Sequence, residues 1–215
     1  MDHFHGNTRA WQKGPGQIVT DADLEIDRFL REALLDEARE EAWLSEETED
    51  DRHRLQRQRV WVVDPIDGTR SFVEGKSEFT ICVALLHASS PVFGFVLNPA
   101  KGEVFEARLG GGAVLNGNPI RTSSRDALTD ATIVVSKSEN HRRRFEEVLP
   151  SATITTIGSL AYKIVLVASG EFDGYLSWRR SHDWDIAAAD LILSEAGGVL
   201  TGAKGEPIRY NKDTV

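Results

Sequence analysis

The chain has 215 residues and sets 25 Lys and Arg against 34 Asp and Glu, a net charge of −9. Its 40% hydrophobic and 27% charged residues are the balance of a globular protein and exclude an intrinsically disordered one. The acidic charge argues against a nucleic-acid partner, and a single cysteine, Cys82, excludes a disulfide framework and any cysteine-based zinc or iron–sulfur site.

At ~150 residues per domain the length suits one domain or two joined halves. No run approaches the ~18 apolar residues of a membrane span. Residues 1–8, MDHFHGNT, have neither the basic nor the apolar region of a secretory signal, so the expectation is a cytoplasmic chain with no membrane partner. After a Gly- and Pro-containing segment at 13–16, a helix is predicted over 20–42. Leu24, Ile26, Phe29, Leu30, Ala33, Leu34 and Ala38 recur at helical spacing, and Thr20 or Asp21 can cap its start. An acidic run at 46–51 meets a basic run at 52–59, and paired charge blocks of this kind predict an exposed, mobile connection.

The apolar run 60–64 predicts a buried strand ended by Pro65, with Trp61 in the core. Further strands are expected over 78–86, 92–98 and 103–108, with turns at 98–102, 110–112 and 116–118 around another short strand. In the second half the pattern predicts strands over 131–136, 153–157 and 172–178. Helices are expected over 139–149, 158–169 and 184–196, the last ended by Gly197 and Gly198. The basic run 141–144 reads as a surface face. Strands first and strand–helix alternation later predict an α+β sandwich of two halves, 1–130 and 131–215, forming one catalytic unit.

The most informative stretch is Asp64-Pro-Ile-Asp-Gly-Thr69, at the end of an apolar strand. Pro65 interrupts the ladder, Gly68 allows a tight turn, and Asp64, Asp67 and the Ile66 carbonyl can gather around one point. Hard oxygen donors suit Mg²⁺ rather than zinc or copper. Backbone N–H groups of Gly68, Thr69 and Arg70 can cradle a phosphate if they open a helix. A bare Asp-x-x-Asp is more often a turn cap, but six matching residues at a strand end are far more specific. Asp185, in Trp184-Asp-Ile-Ala-Ala188, either complements a helix dipole or aims a third carboxylate at the same point. Glu46 and Glu47 read either as a solvated acidic face or as part of that centre. His182 and Asp183 are expected to cap the helix of Asp185, and Lys13 by itself reads as a solvated lysine.

Asp64-Pro-Ile-Asp-Gly-Thr69, Trp184-Asp-Ile-Ala-Ala188 and Glu195-Ala-Gly-Gly198 together resemble the inositol monophosphatase family of magnesium-dependent, lithium-sensitive phosphatases, which includes 3′(2′),5′-bisphosphate nucleotidases. The resemblance runs from about Lys13 to the C-terminus and implies a layered α/β/α/β/α sandwich. It implies a metal-ligand set of Glu46, Asp64, the Ile66 carbonyl, Asp67 and Asp185 holding two or three Mg²⁺ ions. By the same resemblance Thr69, paired with Asp23 of Val19-Thr-Asp-Ala-Asp23, would position the attacking water, and Glu46 would also be catalytic. Lys13 sits where some members place a basic residue near the metals, a reading of equal weight with a solvated lysine. Substrate contacts fall to Asp67, Gly68, Thr69, Gly158, Ser159 and Asp185.

The implied reaction is hydrolysis of a small phosphorylated metabolite such as an inositol monophosphate, and the implied assembly a homodimer. Family members also carry a helix before the Lys13 region and a strand and helix beyond Tyr210. Without them apolar faces are expected to need a partner subunit. Where inositol phosphatases tend to carry a substrate-binding acid this chain has Trp178, and Glu78-Phe-Thr80 is more like the nucleotidase branch. Trp178 can stack on an adenine and Arg179 or Arg180 can meet a second phosphate, which keeps 3′-phosphoadenosine 5′-phosphate as an alternative substrate. An inactive scaffold of the same fold is the alternative of another class, although a scaffold has no physical need for the acidic set.

Overall fold

The computed structural model describes residues 8–14 and 16–214. The N-terminal reading at 1–8 therefore falls, but for Thr8, outside the described residues, as do the side chains of residues 142 and 143 in the basic run.

A hairpin of β1 (Ala10–Gly14) and β2 (Gln17–Thr20) leads into α1 (Asp21–Leu34). Thr20 caps the helix in a reciprocal box: the Asp23 N–H reaches the Thr20 hydroxyl, and the Asp23 carboxylate accepts the Thr20 N–H at 2.7 Å. The helix expected over 20–42 stops at Leu34. Leu35 turns extended, Glu40 takes a φ of 54°, and the chain returns as β3 (Ala42–Ser45). Residues 36–42 favour a helix by composition, but Trp43 and Leu44 gain more by lying beside β4 (Arg59–Asp67) in a parallel pair. Glu41 fixes that turn, accepting from Trp61 Nε1 and Arg59 Nε at 2.9 Å each. Trp61 is accordingly half-buried and hydrogen-bonded at the rim of the core.

The strand of the Asp-Pro-Ile-Asp motif does not end at Pro65 but runs on to Asp67. The register with β5 (Thr80–His87) slips between Asp64 and Asp67, so Pro65 sits at a bulge, where a central strand tolerates the missing N–H. α2 (Thr69–Val73) follows, then β6 (Ser90–Asn98), β7 (Glu103–Arg108), β8 (Ala113–Leu115) and β9 (Asn118–Pro119). These strands complete a seven-stranded sheet in the order β3-β4-β5-β6-β7-β8-β9, antiparallel except for the first pair.

The second half contributes β10 (Thr132–Val135), α3 (Lys137–Arg143), α4 (Phe145–Val148), β11 (Thr153–Thr156), α5 (Leu160–Ala168), β12 (Gly174–Tyr175) and α6 (Asp183–Glu195). The helix expected over 139–149 is two short ones, broken where Arg144 takes a φ of 47°. The strand expected over 172–178 pairs only at Gly174 and Tyr175. β10 runs parallel between β11 and β12 in a three-stranded sheet.

Alternation along the strands decides the layers. Leu44, Val62, Ala84 and Val96 face α5 and α6, whereas Trp43, Val63 and Val83 face Leu30 and Leu34 of α1. Val134 points to the α5 side of the small sheet, and Ile133 and Val135 point to Phe145 of α4. α5 is buried from Ala161 to Ala168, as a helix between two sheets must be. The result is an α/β/α/β/α sandwich of α+β class, as the sequence predicts.

Candidate active site

β3 and β4 are parallel, so both end on the same edge of the large sheet. Glu46 follows β3, its N–H bonded to the Val63 carbonyl at 3.3 Å, and Asp64 lies near the end of β4. Asp185 reaches them from the first turn of α6, where its carboxylate accepts the His182 N–H at 2.7 Å. Carboxylate oxygens of Glu46, Asp64 and Asp185 all lie within 4.8 Å of one another. His182 caps α6 as expected. Its ring stacks on Trp184 at 4.7 Å, and its bond to Asp185 holds its pKa above the usual value.

Asp64 is 1% exposed. Its Oδ1 accepts the Ile66 N–H at 3.0 Å, which turns the Ile66 carbonyl back toward Thr69. Burial, followed by the charges of Glu46, Asp67, Asp185 and Asp23, pushes the Asp64 carboxyl well above the ordinary range. Asp67 lies beside the triangle rather than in it. Its Oδ2 accepts from Ser159 Oγ and from the Ala161 N–H, each at 2.6 Å. Burial and then the charge of Asp185 raise it to about 6, against the pull of Ser159 and Lys163.

Thr69 opens α2 next to Gly68, whose φ of 95° suits glycine alone and whose added Cβ would lie 2.8 Å from the Glu78 carbonyl. The Thr69 hydroxyl lies 3.0 Å from the Ile66 carbonyl and 3.4 Å from Asp23 Oδ1. The other Asp23 oxygen is held by the Thr20 hydroxyl at 2.5 Å, so α1's capping box also orients Asp23. Burial raises the Asp23 carboxyl in spite of those bonds.

Lys13 is exposed to solvent but paired with the acidic centre. Its Nζ bridges Glu46 at 3.0 Å and Glu47 at 2.6 Å, and those carboxylates outweigh burial and raise its pKa. Gly158 and Ser159 lie behind Asp67. The Gly158 N–H bonds to Glu78 at 2.7 Å, while Ser159, at a φ of 55°, bonds Asp67 and Thr80. Lys163, which no sequence signal singled out, curls back to the Ser159 carbonyl and so pins that strained residue. Burial lowers its ammonium to about 8. The charged run 46–59, expected as a mobile connection, contains the fully buried Arg54. Hydrogen-bonded burial of a cation leaves no periodicity in sequence, and only the fold reveals it.

Hard oxygen donors, an excess of negative charge and a buried carboxyl driven toward protonation are together what a divalent cation relieves, so the residues fit one. Such a centre at strand ends of a layered α+β sandwich is that of a metal-dependent phosphoric monoester hydrolase. The inositol monophosphatase family model matches residues 2–215, and the chain belongs to that family. Inositol-1-monophosphatase of Rhizobium meliloti is 37% identical over 213 residues, 93% of this chain and 77% of the relative. The extragenic suppressor protein suhB of Bartonella henselae matches with a TM-score of 0.83 at 31% identity, over 93% of this chain and 79% of the other. Inositol monophosphate-bound SaIMPase-II matches with a TM-score of 0.79 at 28% identity, over 87% and 74%, and the same protein was solved with 2′-AMP bound. Among the described residues, no helix is long and apolar enough to cross a membrane.

Proposed function

We propose that the chain is a Mg²⁺-dependent phosphatase that hydrolyses an inositol monophosphate or a similar small phosphate by attack of water. The observation that carries this is the convergence of Glu46, Asp64 and Asp185 from three elements beside the Thr69–Asp23 pair. Glu46, Asp64, Asp185, the Ile66 carbonyl and Asp67 would hold the ions, with Asp67 oriented by its bonds from Ser159 and Ala161. Magnesium bound there neutralises the phosphate dianion and lowers the pKa of the attacking water.

The residues do the rest. The Thr69 hydroxyl holds the water and directs its proton to Asp23, whose raised pKa makes it a better base near neutrality than a free aspartate. Backbone N–H groups of Gly68 and Thr69, with no helical carbonyl to accept them, receive the phosphoryl oxygens. Gly158 and Ser159 serve substrate through Asp67, and Glu46 joins the water's side of the centre. The parts act as one unit in a homodimer, an expectation carried over from the family.

The test is phosphate release with Mg²⁺ from inositol 1-phosphate, 3′-phosphoadenosine 5′-phosphate, fructose 1,6-bisphosphate and histidinol phosphate, with and without excess chelator. Chelator-sensitive turnover led by inositol 1-phosphate is expected. Absence of turnover in folded protein on all four overturns the reading in favour of an inactive scaffold.

A second reading, a 3′(2′),5′-bisphosphate nucleotidase, draws on Trp178, which is 46% exposed and followed by exposed Arg179 and Arg180. Its indole stacks on Phe145 at 4.7 Å, which holds the ring in place at the surface. Under this reading Trp178→Ala lowers turnover of the bisphosphate nucleotide more than that of inositol 1-phosphate. Equal losses discard it.

A further inference from the structure

We propose that Arg54 is a positioning residue for the acidic centre: its buried guanidinium ties the loop after Glu46 to the first turn of α6 and so fixes the separation of Glu46 from Asp185. The inference rests on the reading of that centre as a divalent-cation site.

Arg54 is 0% exposed, and its donors reach both its own loop and a segment near the end of the chain. Nε and Nη2 fork onto Asp50 at 2.6 and 2.9 Å. Nη1 meets Asn211 Oδ1 at 2.6 Å and Nη2 meets the Lys212 carbonyl at 3.0 Å, while Asn211 Nδ2 returns to the Arg54 carbonyl at 3.3 Å. The Asn211 N–H then donates to Asp183 Oδ2 at 2.6 Å, and Asp183 is the first residue of α6. An unbroken chain of bonds thus runs from Asp50 through Arg54 and Asn211 to Asp183, two residues from Asp185.

The centre needs such a tie. Glu46 and Asp185 belong to different elements and repel each other. Among the described residues, the side-chain hydrogen bond of Glu46 runs to Lys13 and not to α6. The buried fork also explains the choice of arginine. Lysine, a point charge on a flexible stem, does not span Asp50, Asn211 and the Lys212 carbonyl at once. Exposed pairs nearby, such as Arg52 with Asp213, tie the same segments without reaching the interior.

The test measures Mn²⁺ binding by the loss of the free-ion electron paramagnetic resonance signal in Arg54→Lys and Asn211→Gly proteins. Asn211 has a φ of 53°, so glycine keeps the backbone and its bond to Asp183 while removing the carboxamide that holds Arg54. It also remains informative if Arg54→Lys fails to fold. Partners that orient metal ligands typically govern affinity by roughly 10–100-fold, so both variants are expected to weaken Mn²⁺ binding by about that range. The Mg²⁺ concentration for half-maximal activity rises in parallel, kcat at saturating Mg²⁺ persists, and Arg52→Ala binds as the wild type does. Asp64→Asn separates the two readings. If it leaves Mn²⁺ binding intact, the centre is not the metal site and both readings fall. If it abolishes binding while Arg54→Lys and Asn211→Gly lose thermal stability but bind Mn²⁺ normally, Arg54 is a structural clamp only and the positioning role is overturned.

Discussion

Asp64 sets the energetics of the centre at the scale of single residues. A carboxylate that is 1% exposed and faces Glu46, Asp67, Asp185 and Asp23 is destabilised in its charged form, and a cation removes that cost. Asp67 gives the measurable consequence, since its folded-state value of about 6 lies above the unfolded 3.8. The folded state then binds the proton more tightly. Stability from this group is full below the unfolded value, falls as pH rises from about 4 to 6, and stays low above. In chelator, urea unfolding of wild type against Asp67→Asn should therefore show the wild type losing about 2 kcal/mol relative to the variant between pH 4 and pH 7. A difference that does not change with pH refutes this. Thr69→Val removes only the hydroxyl that faces Asp23, so Mn²⁺ binding should be kept while kcat falls by about 10²–10⁴. Both parts are read from metal titration and steady-state kinetics on one sample.

At the scale of elements, local pattern and tertiary contact disagree in instructive places. Helical composition carries on past Leu34, yet β3 wins residues 42–45 because a parallel partner on β4 buries Trp43 and Leu44. Pro65 is a stop signal by itself, but a bulge lets β4 continue and brings Asp64 and Asp67 to the sheet edge together. The charged run 46–59 is mobile by composition, and a buried arginine makes it fixed. Close approach of α6 to β6 is equally invisible in sequence. A Cβ on Gly94 would come 2.6 Å from the Ala188 carbonyl, backbone that cannot step aside. Gly94→Ala should accordingly destabilise by about 1–3 kcal/mol in denaturant unfolding. Because it lifts the helix that carries Asp185, it should also raise the Mg²⁺ requirement.

At the scale of the whole molecule the two sheets share helices. Buried residues of α5 and α6 pack with the large sheet and with Val134 of the small one in a single core. The ligands of the centre come from β3, β4 and α6, so metal binding reports on the assembled fold and not on any local segment. A cation that binds only the folded state should add about 2.7 kcal/mol at a hundred times its dissociation constant. Melting temperature should thus rise with Mg²⁺ and fall back with chelator in the wild type, and stay flat in Asp64→Asn.

The sequence by itself determined the motif residues, the α+β class and the family, because Asp64-Pro-Ile-Asp-Gly-Thr69 and Trp184-Asp-Ile-Ala-Ala188 carry their chemistry in contiguous residues. Helix starts at Thr20 and His182 were legible for the same reason, since a cap is a local bond. Tertiary structure alone decided that Lys13 faces Glu46 and Glu47, that Ser159 supports Asp67, and that Arg54 joins the loop after Glu46 to the start of α6. Those contacts join residues far apart in the chain. Their energy comes from burial and hydrogen bonding between elements, which leaves no periodic trace along the sequence.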